Sequence, residues 1–222
     1  MKLYYWPGAC SLSPHIVSRE AGIDLQLAEL DRGERKTADG TVLSSVNPKN
    51  QVPVLELDDG QKLTEGPVIV QYLADQKPAS GLMPAPGTID RYRVQEWLNY
   101  VTSELHKTFG LLFRPTTPEE FKKLSPEFLG QRFDWIDKQL DGKQYLMGDK
   151  FTVADAYLFT VLQLVAARRH QSRQMAEHHR LFGPRRRASK GAGSDEGGRL
   201  GVGAIYFVMP GLEPGIDVFV SQ

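Results

Sequence analysis

The chain has 222 residues with 27 basic and 27 acidic side chains, and its formal net charge of +0 gives no overall attraction for nucleic acid or an anionic membrane. Its 41% hydrophobic and 24% charged content is that of an ordinary soluble protein of one large or two small domains. One cysteine excludes an internal disulfide framework, no signal-peptide core or bilayer-length apolar run is visible, and the expected location is the cytoplasm.

Residues 2–6 read as a buried strand ended by Pro7-Gly8. Ser13-Pro14 predicts a helix start, as cap and first helical residue, and the helix runs to about Ala21-Gly22. Residues 25–30 alternate weakly and read as a second strand. Residues 31–49 are polar and irregular, with room for one short helix. Val52-Pro53 enters a third strand, since a Pro cannot donate to a ladder and belongs at a strand start or edge. Asp58-Asp59-Gly60 is the turn of a hairpin between two apolar runs. Glu65-Gly66-Pro67 then opens a helix with Val68, Ile69, Tyr72 and Leu73 at helical spacing.

That order, strand–helix–strand, loop, strand–strand–helix, predicts an α/β thioredoxin-like domain over residues 1–77. Residues 77–89, with three prolines and two glycines, read as a linker. Long helices follow, at about 90–113 and 118–140, and a third begins at Thr152-Val153-Ala154-Asp155. This is a capping box with Asp in place of Glu. The second domain is therefore expected to be all-α, over residues 90–164.

Three places carry candidate chemistry. Cys10 lies between the first strand and first helix, where a helix N-terminus lowers a thiol pKa. No second cysteine stands two residues away, which excludes a two-cysteine redox site. The start of the third helix collects free N–H groups and positive partial charge, so the Gly66 N–H suits a carboxylate. Asn99, Ser103, His106, Lys107 and Gly110 recur at helical spacing opposite Trp97, Leu98, Val101 and Leu105. An imidazole there can take a proton or hydrogen-bond an anion. His15, His170, His178 and His179 show no metal-ligand spacing, and no metal is expected.

Residues 50–75 resemble the glutathione-binding half of glutathione transferases. Cys10 and the run Asn-Tyr-Val-Thr-Ser-Glu-Leu-His-Lys at 99–107 resemble the bacterial beta class. The resemblance covers residues 1 to about 164. It implies a cis bond at Val52-Pro53, with the Val52 backbone pairing to the tripeptide. It implies that Gly66 holds the γ-glutamyl carboxylate and Glu65 the ammonium, while Arg35 or Lys36 meets the glycine carboxylate. Cys10 would touch the glutathione sulfur and be able to form a mixed disulfide, Ser11 would add a hydrogen bond, and Tyr5 would line the pocket. His106 would approach the thiol, and Lys107 would join the glutathione site. Asn99, Ser103 and Glu104 would be placed so that some reach the glutathione of a second subunit. Phe109, Leu112 and Phe113 would form part of the apolar half of the pocket.

The implied function is conjugation of glutathione thiolate to small apolar electrophiles by a detoxifying homodimer. Glutathione is the co-substrate, and no separate cofactor is needed. Two rival readings remain: glutathione-dependent thiol–disulfide exchange or dehalogenation through Cys10, and a non-catalytic binder of glutathione or apolar ligands.

After Leu164 the family pattern breaks. A basic run leads to Arg185-Arg186-Arg187 and then to a Gly-rich stretch, with no sustained 3.6 period. Residues 165–222 read as a basic arm, a disordered tail, or the product of a frame shift. The expected origin is the frame shift. Back-translation read one nucleotide later permits a Trp-Pro helix start, amphipathic spacing and an Ala-Arg-Pro break.

Overall fold

The computed structural model describes residues 1–171, with side chains to residue 163. The frame-shift and disorder expectations for the tail fall, from residue 172 on, outside the described residues. The backbone of the last helix continues past Leu164 to Gln171.

Four strands form one mixed sheet in the order β2-β1-β3-β4. They are β1 Lys2–Tyr5, β2 Gln26–Glu29, β3 Val54–Glu56 and β4 Lys62–Thr64. β1 pairs parallel with β2 and antiparallel with β3, and Leu3 stands opposite Leu27 on one side and Leu55 on the other. Helix α1, Leu12–Glu20, makes the crossover between β1 and β2, and the short α2, Leu43–Val46, precedes β3. The hairpin leads into α3, Gly66–Gln76, which packs beside α1.

Period-two alternation splits the strand side chains between two cores. Val54 joins Tyr4, Leu30, Leu43, Val46 and Val52 on one face. Its neighbour Leu55 joins Ile16, Val17, Ile69 and Leu73 on the other. The second core runs on without a break into the helical layer.

That layer contains a long helix in three pieces: α4 Ile89–Tyr100, a π-helical segment Val101–His106, and α5 Lys107–Leu112. Thr88 caps its start by accepting from the Arg91 N–H at 3.3 Å. α6, Glu119–Leu140, brings in Phe133 and Ile136, and α7, Val153–Gln171, brings in Ala154, Tyr157, Leu158 and Val161. No helix of the described residues is long and apolar enough to cross a membrane.

One helix start differs from the sequence expectation. α1 begins at Leu12 with Ser11 as its flanking residue, ahead of Ser13-Pro14. Pro14 falls within the first turn, whose N–H groups have no intrahelical partner, so its missing donor costs nothing. The Ser13 hydroxyl donates to the Cys10 carbonyl at 3.0 Å and closes that turn.

The capping box of α7 is built from a fully buried Asp155. Its carboxylate accepts from the Thr152 N–H, the Thr152 hydroxyl and the Leu146 N–H, each at 2.8 Å. The third bond ties the preceding loop to the helix start. Asp155→Ala strands two buried N–H groups and is expected to cost about 3 kcal/mol of stability. Urea unfolding of the full chain measures it, and a loss under about 0.5 kcal/mol, the range of ordinary surface substitutions, would contradict the role.

Candidate active site

A cleft of about 930 Å³ opens between the loops at one end of the sheet and the helical layer. The β1–α1 loop, the segment before β3, the start of α3, the π segment with α5, and Tyr157 of α7 all contribute to its wall.

Cys10 sits in the β1–α1 loop, partly buried, and its Sγ donates to the Val52 carbonyl at 3.3 Å. Burial pushes the thiol up to about 11, and the nearby Glu65 charge adds to this. Hydrogen bonds from the Cys10 and Ser11 N–H groups act in the opposite direction and are outweighed. The expectation of a thiolate-favouring helix N-terminus is therefore corrected: desolvation wins, and Cys10 is a neutral thiol.

Val52 and Pro53 line the cleft, and the bond between them is cis. Glu65 and Gly66 line it beside them. Glu65 adopts φ +70 and ψ 111, a conformation costing about 1–3 kcal/mol in a non-glycine residue. Such a conformation persists where its surroundings impose it. Here it sits at the turn that leads β4 into α3 and puts Gly66, the first residue of α3, at the cleft wall. Lys49 forms an ion pair with the Glu65 carboxylate and also donates to Thr64 Oγ1 at 2.8 Å. Arg35 lines the cleft with its guanidinium 5.8 Å from the Trp6 ring centroid. Lys36 pairs instead with Glu34 at 2.6 Å, so Arg35 is the cation at the cleft of the two.

Two neighbours of these residues turn elsewhere. Ser11 is buried, and its hydroxyl accepts from the Trp6 N–H at 3.2 Å and donates to the Trp6 carbonyl at 3.1 Å. It locks the β1–α1 loop and does not line the cleft. Tyr5 also lies off the cleft wall, because its hydroxyl donates to Glu29, its register partner on β2, at 2.8 Å. Burial, with the Glu29 contact, pushes the Tyr5 phenol up to about 12.

His106 ends the π segment and faces the cleft, as do Lys107 and Gly110. Its Nδ1 stands 2.7 Å from the Tyr157 hydroxyl, and burial lowers its pKa. Thr102 is the cleft residue one turn earlier. Asn99 and Ser103 are exposed away from this wall, and Glu104 forms an ion pair with Arg132 at 3.0 Å. The expected single stripe therefore splits in two. A π turn holds about one residue more than an α turn, and that shifts which positions share a face. The apolar end is also redistributed. Leu111 and Phe113 line the cleft, whereas Phe109 is buried against Phe133 and Leu112 packs on the core.

The sequence reading missed Lys49, Thr102 and Tyr157. Tyr157 comes from α7 with no local motif to mark it, Lys49 comes from the loop before β3, and Thr102 lies one turn before His106 on the same segment, inside the stretch already singled out. Among the described residues, five cations, Arg32, Arg35, Lys49, Lys107 and Arg114, line the cleft, and Glu65 is the one carboxylate there. The cleft thus attracts a small ligand with more negative than positive charge. Among the described residues, no three His, Cys, Asp or Glu side chains are grouped to hold a metal ion.

Comparison with known proteins fits this geometry. Residues 1–75 match the family model for the glutathione S-transferase N-terminal domain, and residues 131–183 match that for the C-terminal domain. The chain is 48% identical to glutathione S-transferase GstA of Escherichia coli O157:H7 over 163 residues, which is 73% of this chain and 81% of that one. A sphingomonad glutathione S-transferase complexed with glutathione superposes with a TM-score of 0.71 at 45% identity, covering 80% of this chain and 87% of that chain. The bacterial beta class enzyme of Sphingomonas chungbukensis gives 0.71 at 41% identity, with the same coverage of 80% and 87%. The chain belongs to the glutathione S-transferase family, in its bacterial beta class.

Proposed function

We infer that this protein conjugates the thiolate of glutathione to small electrophiles. The observation that carries the reading is the convergence of Cys10, the Val52 backbone, the start of α3 and His106 on one cationic cleft. Glutathione has two carboxylates and one ammonium, which suits that charge. The Gly66 N–H at the α3 start binds the γ-glutamyl carboxylate. One Glu65 oxygen is taken by Lys49, and the other accepts from the ammonium. Arg35 meets the glycine carboxylate, and the Val52 backbone pairs with the peptide. The sulfur then lies between Cys10 and His106. Leu111 and Phe113 offer the electrophile an apolar wall.

The neutrality of Cys10 bears on the rival chemistry. Covalent exchange needs a thiolate at Cys10, and a thiol near 11 has only about one part in 10⁴ ionised at pH 7. A neutral thiol is instead a donor, able to turn its S–H from the Val52 carbonyl toward the glutathione sulfur. This favours conjugation over thiol–disulfide exchange or dehalogenation.

We further propose a homodimer that acts in the cytoplasm to clear reactive electrophiles, with Asn99 and Ser103 near the partner's glutathione. Their exposure away from this chain's own cleft supports the placement. Two domains, at 1–77 and 90–164, and a frame-shifted stretch at 165–222 complete the proposal. The 163-residue span of the match to the Escherichia coli relative supports that break, while the reach of the C-terminal family model to residue 183 argues for a later onset. Sequencing the gene across codon 164 decides it.

Incubation of the full chain with glutathione and an aryl halide is expected to give the thioether. Calorimetric binding of glutathione without product would support the non-catalytic binder instead. His106→Ala should lower turnover by about ten- to a thousand-fold, or ~1–4 kcal/mol of transition-state stabilisation. An unchanged kcat from pH 6 to 8 would remove His106 from the mechanism.

Labelling tests the Cys10 role. The chain has one cysteine, so alkylation by iodoacetamide reports it alone. A raised thiol pKa means the rate climbs with pH through about 10 without levelling off. A plateau near pH 7 would show a thiolate and revive the exchange reading.

A further inference from the structure

The Tyr157 hydroxyl stands 2.7 Å from His106 Nδ1, and Tyr157 is 2% exposed. Burial raises the phenol far above its ordinary range, so it keeps its proton. A buried hydroxyl has to place that proton on an acceptor. Two acceptors are in reach: His106 Nδ1, and Thr102 Oγ1 at 3.5 Å. The longer contact is at the limit of a hydrogen bond, and Thr102 already sends its own proton to the Leu98 carbonyl at 2.7 Å. The hydroxyl therefore donates to the imidazole.

His106 is neutral near pH 7, because burial lowers its pKa more than Glu65 raises it. A neutral imidazole has one donor and one acceptor nitrogen. With Nδ1 accepting, the proton is on Nε2. We propose that Tyr157 is a positioning residue that holds His106 in its Nε2–H tautomer, so that the imidazole meets the glutathione sulfur as a hydrogen-bond donor and not as a base.

The inference rests on the conjugation reading for its ligand, while the tautomer itself is a property of the free chain. A thiolate accepts hydrogen bonds and donates none, so Nε2–H stabilises it and an unprotonated Nε2 does not. The thiol proton then leaves to solvent. Every element around His106 fits the arrangement. Cys10 in the β1–α1 loop is a neutral donor. Glu65 before α3 and Lys107 on α5 are the nearby charges, opposite in sign and opposite in effect on the imidazole. Tyr157 is itself fixed from several sides. Its ring meets the imidazole edge-on, with centroids 5.8 Å apart and planes at 77°. The Asp155–Thr152 box anchors α7 just ahead of it. Gly66 adds no side chain at the third side, where a Cβ would stand 3.7 Å from the ring.

Tyr157→Phe in the full chain removes the donor and keeps the ring. The measurement is the imidazole nitrogen NMR spectrum of histidine-labelled protein, with His106 identified by its loss in His106→Asn. In the natural chain His106 should show an unprotonated Nδ1 and a protonated Nε2. In Tyr157→Phe it should show a tautomer mixture and a higher pKa, because the bond that stabilised the neutral ring is gone. The variant's turnover should fall about ten-fold with KM for glutathione unchanged, and the acid limb of its pH profile should move up. Nδ1–H in the natural chain overturns the proposal. So does a variant with the same tautomer and the same pH profile. The NMR arm stands even if no electrophile is turned over, so failure of the conjugation reading is told apart from failure of this one.

Discussion

Ile16 and Val17 of α1 and Ile69 and Leu73 of α3 bury against Val153, Ala154, Leu158 and Val161 of α7, and the position of every cleft residue follows from that shared core. Each of the Val, Leu and Ile side chains among them contributes about 1.5–3 kcal/mol on burial. The sheet layer and the helical layer therefore cannot separate without exposing a continuous apolar face. Their junction is fixed, and the cleft is the place where packing stops. On one side of it stand the β1–α1 loop and the start of α3. On the other stand the π segment and Tyr157. The Cys10-to-His106 relation is thus set by packing between domains and not by any bond between the two residues.

Within the cleft, burial and dipoles compete, and burial prevails at the groups that matter. At Cys10 two N–H groups favour the thiolate, yet desolvation leaves a neutral thiol. At His106 the Glu65 charge favours the imidazolium, yet desolvation leaves the neutral ring. Both groups then line the cleft uncharged, and neither adds a full charge to it. The positive field comes from residues around the rim, Arg32, Arg35, Lys49, Lys107 and Arg114. All five are exposed to solvent, so they lend the cleft its charge without being desolvated themselves. Charge is thus kept at the rim, while the buried groups inside the cleft, Cys10 and His106, are uncharged.

The parts of this arrangement that sequence could show were those written locally. Val52-Pro53, the Asp58-Asp59-Gly60 turn, Glu65-Gly66-Pro67 and the Thr152–Asp155 box each declare themselves within a few residues. The order of the elements follows from them, whereas the cleft positions of Cys10 and His106 were expected from the resemblance of their surroundings to the family. Side-chain direction is a different matter. Tyr5 and Ser11 flank Cys10 in sequence, but one bonds Glu29 across a strand pair and the other bonds back to Trp6. Tyr157 reaches His106 across a separation of 51 residues, and no periodicity in α7 marks it. The net charge of +0 likewise hid a cleft whose wall is strongly cationic, because the sum over a chain does not record where charges gather.

The π segment shows why the helical stripe misled. Val101 and Leu105 are fully buried in the shared core, while Thr102 and His106 line the cleft. A regular α-helix advances 100° per residue, so a stripe drawn through Asn99, Ser103, His106 and Gly110 assumes that one period holds throughout. The wider turn at Val101–His106 breaks that period just before the imidazole. Asn99 ahead of it and Ser103 within it stay on the outer face, while Lys107 and Gly110 after it line the cleft. One surplus residue in the turn lets the same helix keep its apolar face in the core on both sides of the break. His106, the last residue of that turn, stands with Nδ1 2.7 Å from the hydroxyl of Tyr157. The irregular turn thus carries the one histidine of the cleft wall, where the helical layer meets Tyr157 of α7.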